Sequence, residues 1–513
     1  MIIYDTTLRD GSQAEDVHFT VKDKLKIVQL LDKLGVDYIE LGWPGSNSID
    51  NEAFEKVKEI KLQTSKIAAF GSTRKTGVSA SSDLLLNKLV NSGAQTACIF
   101  GKTSKVHVEK QLKTTPEDNL EIIYESIRYL KDNNLEVFYD AEHFFDGYKQ
   151  DNRYAINCLK KAAEGGASQI ILCDTNGGTL PEEFLKIVKE VYEETKEWEI
   201  ALGVHCHNDS GCAIWNSIVA LDYISHIQGT INGFGERCGN ADLCQVVPNL
   251  VLKKNLKLKT ELEKLKHISN MVYTLANVKP FPHQPYVGES AFAHKGGVHT
   301  DAMRKGATYE HVAPETIGNI SKTVASALGG KGSVVEIANK AGFKIDKGHP
   351  NVSKALAEME ELEKKRYSCA TLPAEQFLIS HNHFSEKGPA FEIIYWKVLS
   401  ENRCGEFSEA LISGRVKNRE YSVVAPVKNA GPVGAVFQAM HKLLVNDYPE
   451  IKNVKIGNYK VRIAEDKGAD SSVRVYVELT DNGNKWATVG VSPNILEASI
   501  EALQKGFQYY LLR

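Results

Sequence analysis

The feature that most constrains this chain is a rhythm of eight short β-rich runs separated by longer helical patterns within its first 255 or so residues. The runs fall at residues 2–4, 38–41, 66–70, 96–100, 136–140, 169–173, 201–205 and 226–229. Between them lie amphipathic stretches, among them 21–34, 117–132, 152–164 and 181–195, with apolar residues at helical spacing. Repeated helix-to-strand turns carry a glycine (Gly35, Gly93, Gly165-Gly166) where a helix needs its C-cap. Eight strand–helix alternations over this length predict an α/β fold, the closed (β/α)8 barrel, whose chemistry sits at the carboxyl ends of its strands. An open doubly wound sheet is the competing architecture, but its dinucleotide fingerprint is absent. Gly233-Phe234-Gly235-Glu236-Arg237-Cys238-Gly239 has the wrong final spacing and follows the eighth run, not the first.

The remaining length demands further domains, since 513 residues exceed one core. A helix is expected at 257–278, after which the proline-rich Lys279-Pro280-Phe281-Pro282-His283-Gln284-Pro285 marks a boundary. A mixed region with helices near 333–341 and 352–365 follows. From about 388 the character changes to alternating strands (391–400, 406–415, 459–463, 473–479, 485–491) with helices at 431–444 and 494–510. Two units of strands followed by a helix suggest an α+β module built from an internal repeat. The expected division is a barrel over 1–278, linker subdomains over 279–387 and a C-terminal domain over 388–513. A net charge of −3 gives no electrostatic case for nucleic acid or an anionic membrane. No apolar run approaches the roughly 20 residues that span a bilayer, and no signal-peptide progression opens the chain. Nine cysteines without Cys-x-x-Cys pairing point to reduced thiols in a cytoplasm.

Polar residues gather where the predicted strands end. The first run leads into Asp5-Thr6-Thr7-Leu8-Arg9-Asp10-Gly11-Ser12-Gln13, which sets a cation and a carboxylate side by side. The seventh ends in His205-Cys206-His207-Asn208-Asp209. Residues i and i+2 of a strand project to one face, so both imidazoles can reach one ion; on a helix they would diverge by about 200°. Asn240 lies in the loop after the eighth run, and strands one, seven and eight become neighbours when a barrel closes. Asp10, His205, His207 and Asn240 therefore make a mixed O/N set suited to Mg²⁺, Mn²⁺ or Zn²⁺, with positions left to chelate a 2-oxo acid. Glu142 is a candidate base and Thr175 a candidate holder of a carboxylate. For Asp174 and Asn176 a turn with its own backbone bonds competes. Cys173, Cys206, Cys212, Cys238 and Cys244 read as small buried side chains, because their spacing matches no zinc site.

Three of these patterns occur in a fixed order: Leu8-Arg9-Asp10-Gly11-x-Gln13 with Lys24 downstream, His205-x-His207-Asn208-Asp209-x-Gly211, and Gly235-Glu236-Arg237-Cys238-Gly239-Asn240-Ala241. They resemble the motifs of the 2-isopropylmalate, homocitrate and citramalate synthases. The likeness spans essentially the whole chain, since Gly490-Val491-Ser492-Pro493-Asn494-Ile495-Leu496-Glu497-Ala498 is similar to part of the family's regulatory domain. Gly42-Trp43-Pro44-Gly45-Ser46-Asn47, Phe70-Gly71-Ser72-Thr73-Arg74 and Asp140-Ala141-Glu142-His143-Phe144-Phe145-Asp146-Gly147-Tyr148 look most like the branch that makes (R)-citramalate.

The resemblance implies a metal-dependent Claisen condensation of acetyl-CoA with a 2-oxo acid and hydrolysis of the thioester, an acyl group becoming an alkyl on transfer. The acceptor implied is pyruvate and the pathway isoleucine biosynthesis; 2-oxoisovalerate as acceptor, or an acyl-CoA lyase activity, are the alternatives. Carried over position by position, Asp10, His205, His207 and Asn240 match metal ligands, Arg9 faces the developing alkoxide, and Gln13 and Thr175 contact substrate. Glu142 matches a catalytic glutamate, and His299 with Tyr309 resembles a His/Tyr pair offered from the linker region. A homodimer with isoleucine as feedback effector is implied too. Trp215 stands where the family has a small residue, so altered packing behind the seventh strand is expected.

Overall fold

The computed structural model describes residues 1–294, 309–323, 330–365, 367, 372–401, 407–428, 430–464 and 471–513. By internal contact the chain divides into two compact units: Met1–Phe292 with Glu310–Ser321, and Ala293–Tyr309 with Lys322–Arg513. His299 lies outside the described residues.

All eight expected strands form, as β1 (Ile2–Asp5), β2 (Tyr38–Gly42), β3 (Lys66–Ser72), β4 (Thr96–Lys102), β5 (Glu136–Glu142), β6 (Gln169–Asp174), β7 (Ala201–Cys206) and β8 (His226–Gly229). They pair in chain order, and β8 closes on β1, giving a parallel barrel. Several strands run one or two residues further at the carboxyl end than their apolar patterns, through glycines or polar residues such as Asp5, Gly101-Lys102, Glu142 and Asp174 that the apolar pattern does not mark. The helix Val21–Leu34 begins at a capping box between Thr20 and Asp23 and ends at Gly35, whose φ of +89° suits glycine.

That glycine also explains a difference from expectation. Residues 257–261 are not helical; a 3₁₀ turn Leu262–Lys264 and the helix Leu265–Leu275 cover only the later part of the predicted span. A Cβ on Gly35 would lie 2.6 Å from the Lys259 carbonyl oxygen, and Glu261 N–H donates to Leu34 O at 2.8 Å. The preceding chain is thus held extended against the end of the first helix.

Two apolar layers shape this unit. Inside the barrel, Tyr4, Tyr38, Ala68, Phe70, Cys98, Phe138, Ile171 and Cys173 form one cluster, while Ile3, Ile39, Ile99 and Leu172 pack outward in the larger one that includes helix residues such as Ile27, Leu31 and Ile123. This is the strand alternation of two, with each face buried because helices cover the sheet. Trp215, on the helix Ala213–Val219 that follows β7, is 51% exposed, with Lys254 Nζ 5.9 Å from its ring centroid.

In the second unit the internal repeat is plain. Phe391–Glu401, Phe407–Val416 and Arg419–Lys428 form an antiparallel sheet followed by the helix Pro432–Leu444. Lys455–Ile463, Val473–Asp481 and Asn484–Ser492 form another, followed by Ile495–Leu512. The strand Arg419–Lys428 is absent from the sequence reading because it contains Pro426. Its edge position tolerates the missing N–H. Phe437 and Phe507 stack with centroids 5.6 Å apart and join both helices to one core. Among the described residues no helix is long and apolar enough to cross a membrane.

Candidate active site

At the carboxyl ends of the barrel strands lies a cleft of about 220 Å³. Its lining includes Arg9, Asp10, Gln13, Glu142, Thr175, His205 and His207, so seven of the expected residues converge. Asp10 Oδ2 is 3.3 Å from His205 Nε2 and 3.8 Å from His207 Nε2, and the two imidazole nitrogens are 3.4 Å apart. Ligand atoms each about 2.1 Å from one ion are separated by roughly 3.0–3.4 Å at octahedral or tetrahedral angles. Two edges of this triangle fall in that range and the third, at 3.8 Å, is a few tenths of an ångström wider, so the triangle is close to that of a cation site. Asn240 completes the test: it is buried, its Nδ2 donates to Phe234 O at 3.0 Å, and its Oδ1 has no hydrogen-bond partner among the described residues. A buried acceptor left open in this way suits a ligand. Burial pushes the Asp10 carboxyl up, but Arg9 and the imidazoles outweigh it and hold the group far below the usual carboxylate range. Burial and the neighbouring His205 push His207 down to about 4, which keeps a neutral lone pair for coordination.

Arg9 is held from three sides. Its Nη1 is 3.1 Å from Asp10 Oδ2, its Nε donates to Glu40 Oε1 at 2.6 Å, and its guanidinium lies 3.7 Å from the centroid of the Phe70 ring. Tyr4 OH donates to the second Glu40 oxygen at 2.8 Å. The loop carrying Arg9 and Asp10 is anchored by buried Lys24, whose Nζ donates to Leu8 O (2.8 Å) and Leu41 O (2.9 Å) and pairs with Asp50 Oδ1 at 2.5 Å. Lys24 thus belongs to the first motif as a strut, not as a contact to substrate.

Glu142 is ion-paired with Lys102. These two are register partners on β5 and β4, so the pair follows directly from strand alignment. Thr175 Oγ1 accepts from His143 N–H at 2.8 Å, which leaves its own proton to donate. Arg237 clasps Asp209 with Nε and Nη2 at 2.8 and 3.0 Å and donates to Thr175 O at 2.7 Å. Gln13 is exposed at the rim. Asp174 follows the competing turn reading, its oxygens accepting from Thr179 Oγ1 and N–H. Tyr309 is exposed and belongs to the second unit. Cys173, Cys206 and Cys244 are buried as expected, whereas Cys212 is partly exposed and Cys238 exposed. Both of the latter sit on irregular loop backbone near the strand ends, where the parity argument for burial does not reach.

Sequence reasoning missed Glu40, Lys102, Asp140 and Gln228. Strand parity was the available signal: Asp140 precedes Glu142 by two, and Glu40 is the polar residue within Tyr38-Ile39-Glu40-Leu41.

A closed parallel barrel presenting an arginine beside a carboxylate and two imidazoles defines a (β/α)8 enzyme built around a divalent cation. The HMGL-like family model matches residues 1–272, the homocitrate synthase post-HMGL domain-like model 286–366 and the LeuA allosteric (dimerisation) domain 374–511. The chain is 44% identical to an (R)-citramalate synthase of Sulfolobus acidocaldarius over 99% of its own length and 96% of that protein. It is 44% identical to that of Geobacter sulfurreducens, with 99% and 97% covered. A 2-isopropylmalate synthase of Methanocaldococcus jannaschii is more distant, at 29% over 100% and 95%. The chain belongs to the HMGL-like family of the citramalate, 2-isopropylmalate and homocitrate synthases.

Proposed function

We propose that this enzyme condenses acetyl-CoA with pyruvate and hydrolyses the thioester, giving (R)-citramalate and CoA. The observation that carries the acceptor is the aromatic wall of the cleft. Trp43, Phe70 and Phe100 stand with centroids 5.4–5.8 Å apart, which favours the methyl of pyruvate over a branched side chain. Identity of 44% to two (R)-citramalate synthases supports the same choice.

Asp10, His205, His207 and Asn240 would hold the divalent ion, which supplies Lewis-acid polarisation of the ketone when bound. Thr175 donates its hydroxyl proton to the carboxylate of the keto acid. Glu142, aimed by Lys102, takes a proton from the acetyl methyl. The enolate carbon then bonds to the ketone carbon as its C=O π bond opens, and Arg9, protonated throughout, neutralises the charge arising on that oxygen. The oxygen takes up a proton to become the citramalate hydroxyl, balancing the one that Glu142 removed. Water attacks the thioester carbonyl and CoA leaves as its thiol. Gln13 closes the rim of the cleft. His299 and Tyr309 are the further proton-handling pair implied by the family's pattern.

CoA release with pyruvate is expected to exceed that with 2-oxoisovalerate by about 10-fold or more in kcat/KM, the discrimination a pocket gives for a few methylenes. Faster turnover of 2-oxoisovalerate would shift the assignment to 2-isopropylmalate synthesis.

The LeuA allosteric (dimerisation) domain match supports a homodimer and a regulatory role for the C-terminal repeat; isoleucine is the effector we propose, because citramalate feeds its biosynthesis. Isoleucine is expected to lower the rate and to raise the melting temperature as it is titrated, because it binds the folded state alone. If neither moves with isoleucine while leucine moves both, leucine is the effector; if neither amino acid has an effect, the regulatory reading fails.

A further inference from the structure

We propose that Gln228 and Asp140 are positioning residues that fix the tautomer of His205, so that its Nε2 lone pair faces the metal position. The proposal rests on reading Asp10, His205, His207 and Asn240 as metal ligands. His205 and Gln228 are register partners on β7 and β8. His205 Nδ1 lies 2.8 Å from Gln228 Oε1, and Gln228 Nε2 donates to Asp140 Oδ1 at 3.0 Å. Cys98 Sγ donates to the same carboxylate oxygen at 3.2 Å. Gln228, Asp140 and Cys98 are all buried.

Direction follows from chemistry. An amide can turn either end toward an imidazole, and by itself it selects no tautomer. A carboxylate only accepts, so Asp140 draws the NH₂ of Gln228 to itself and leaves the amide oxygen facing His205. Nδ1 must then carry the proton. Nε2 is left with its lone pair on the side where Asp10 and His207 converge. A reversed amide would set NH₂ against Nδ1, place the ring proton on Nε2, and close the coordinating position. His207 offers the contrast: its Nδ1 is buried with no hydrogen-bond partner among the described residues. His205 is therefore the ligand whose orientation is built in from behind. Asp140 acts through two other side chains, which separates its role from that of Glu142, two residues further along the same strand face.

Cobalt(II) binding to the full chain tests this, using chelator competition for affinity and the visible spectrum for geometry. Gln228→Leu is expected to weaken Co²⁺ binding about 10–100-fold, the usual cost of losing an outer partner, and to change the spectrum. The double variant Gln228→Glu with Asp140→Asn reverses the inner hydrogen bond: the amide at 140 donates, and the carboxylate at 228 still accepts from Nδ1–H. It is expected to recover most of the affinity and the wild-type spectrum, which a merely space-filling role would not produce. Wild-type affinity and spectrum in Gln228→Leu, or a double variant that binds no better than Gln228→Leu, would overturn the proposal. Should Gln228→Leu fail to fold, the double variant decides alone, by near-wild-type or strongly weakened binding. His205→Ala with undiminished Co²⁺ affinity would sink the metal reading itself, so the two failures are told apart.

Discussion

Arg9→Ala is expected to lower kcat on the order of 10³-fold, the scale of removing a preorganised donor from a developing oxyanion. Arg9 is the cation placed beside Asp10 in the cleft, and its guanidinium is locked by Glu40 and by the face of Phe70. The single variant also strands Glu40, a fully buried carboxylate left with Tyr4 as its other partner. Breaking a buried pair in this way costs roughly 3–5 kcal/mol, so lost activity in Arg9→Ala mixes chemistry with stability. Arg9→Met combined with Glu40→Gln removes both charges together. Its urea midpoint is expected near wild type while kcat stays down by the same factor. Steady-state CoA release from this double variant at near-normal rate would remove Arg9 from the mechanism.

The second large effect lies outside the cleft. Lys24→Met is expected to destabilise the first unit by roughly 3–5 kcal/mol, because Asp50 is left buried without its cation. It also withdraws the donor that holds the Leu8 and Leu41 carbonyls, and thus the loop that aims Arg9 and Asp10. Adding Asp50→Leu should restore much of the stability, since apolar replacement of a whole buried pair is often neutral. The rate should stay low, by up to about 10²-fold, because misplacing a catalytic group by an ångström has that cost. Denaturant unfolding and kcat measured on both variants separate the two contributions. Recovery of full activity in the double variant would show that Lys24 does not position the loop.

Much of the architecture could be read without coordinates because barrel strands carry their signal locally. Short apolar runs recur eight times, amphipathic helices lie between them and glycine caps close three of those helix-to-strand turns, and each is a short-range pattern. The ligand types were legible too, since His205 and His207 share a strand face by parity. What escaped was irregular or long-range. The strand Arg419–Lys428 hid behind Pro426, and residues 257–261 gave up helix for hydrogen bonding against the end of Val21–Leu34. Glu40, Lys102, Asp140 and Gln228 are single polar residues inside apolar strands. Nothing within a few positions of each says which partner it meets.

By itself, then, the sequence determined the eightfold strand–helix alternation, the strand ends at which polar residues gather, and the donor types offered to a metal and a keto acid. These depend on periodicity and on side-chain chemistry, which neighbouring residues fix. The tertiary structure alone decided that Gln228 meets Asp140 across 88 positions, that Lys24 braces the Arg9 loop from the next layer, and that Lys102 pairs with Glu142. The physical reason is register. Shifting one strand by a single residue would turn Gln228, Asp140, Lys102 or Glu142 to the opposite face and would move the Leu8 and Leu41 carbonyls away from Lys24. Only closure of the whole barrel, with its interior packed by Tyr4, Phe70 and Phe138, sets that alignment.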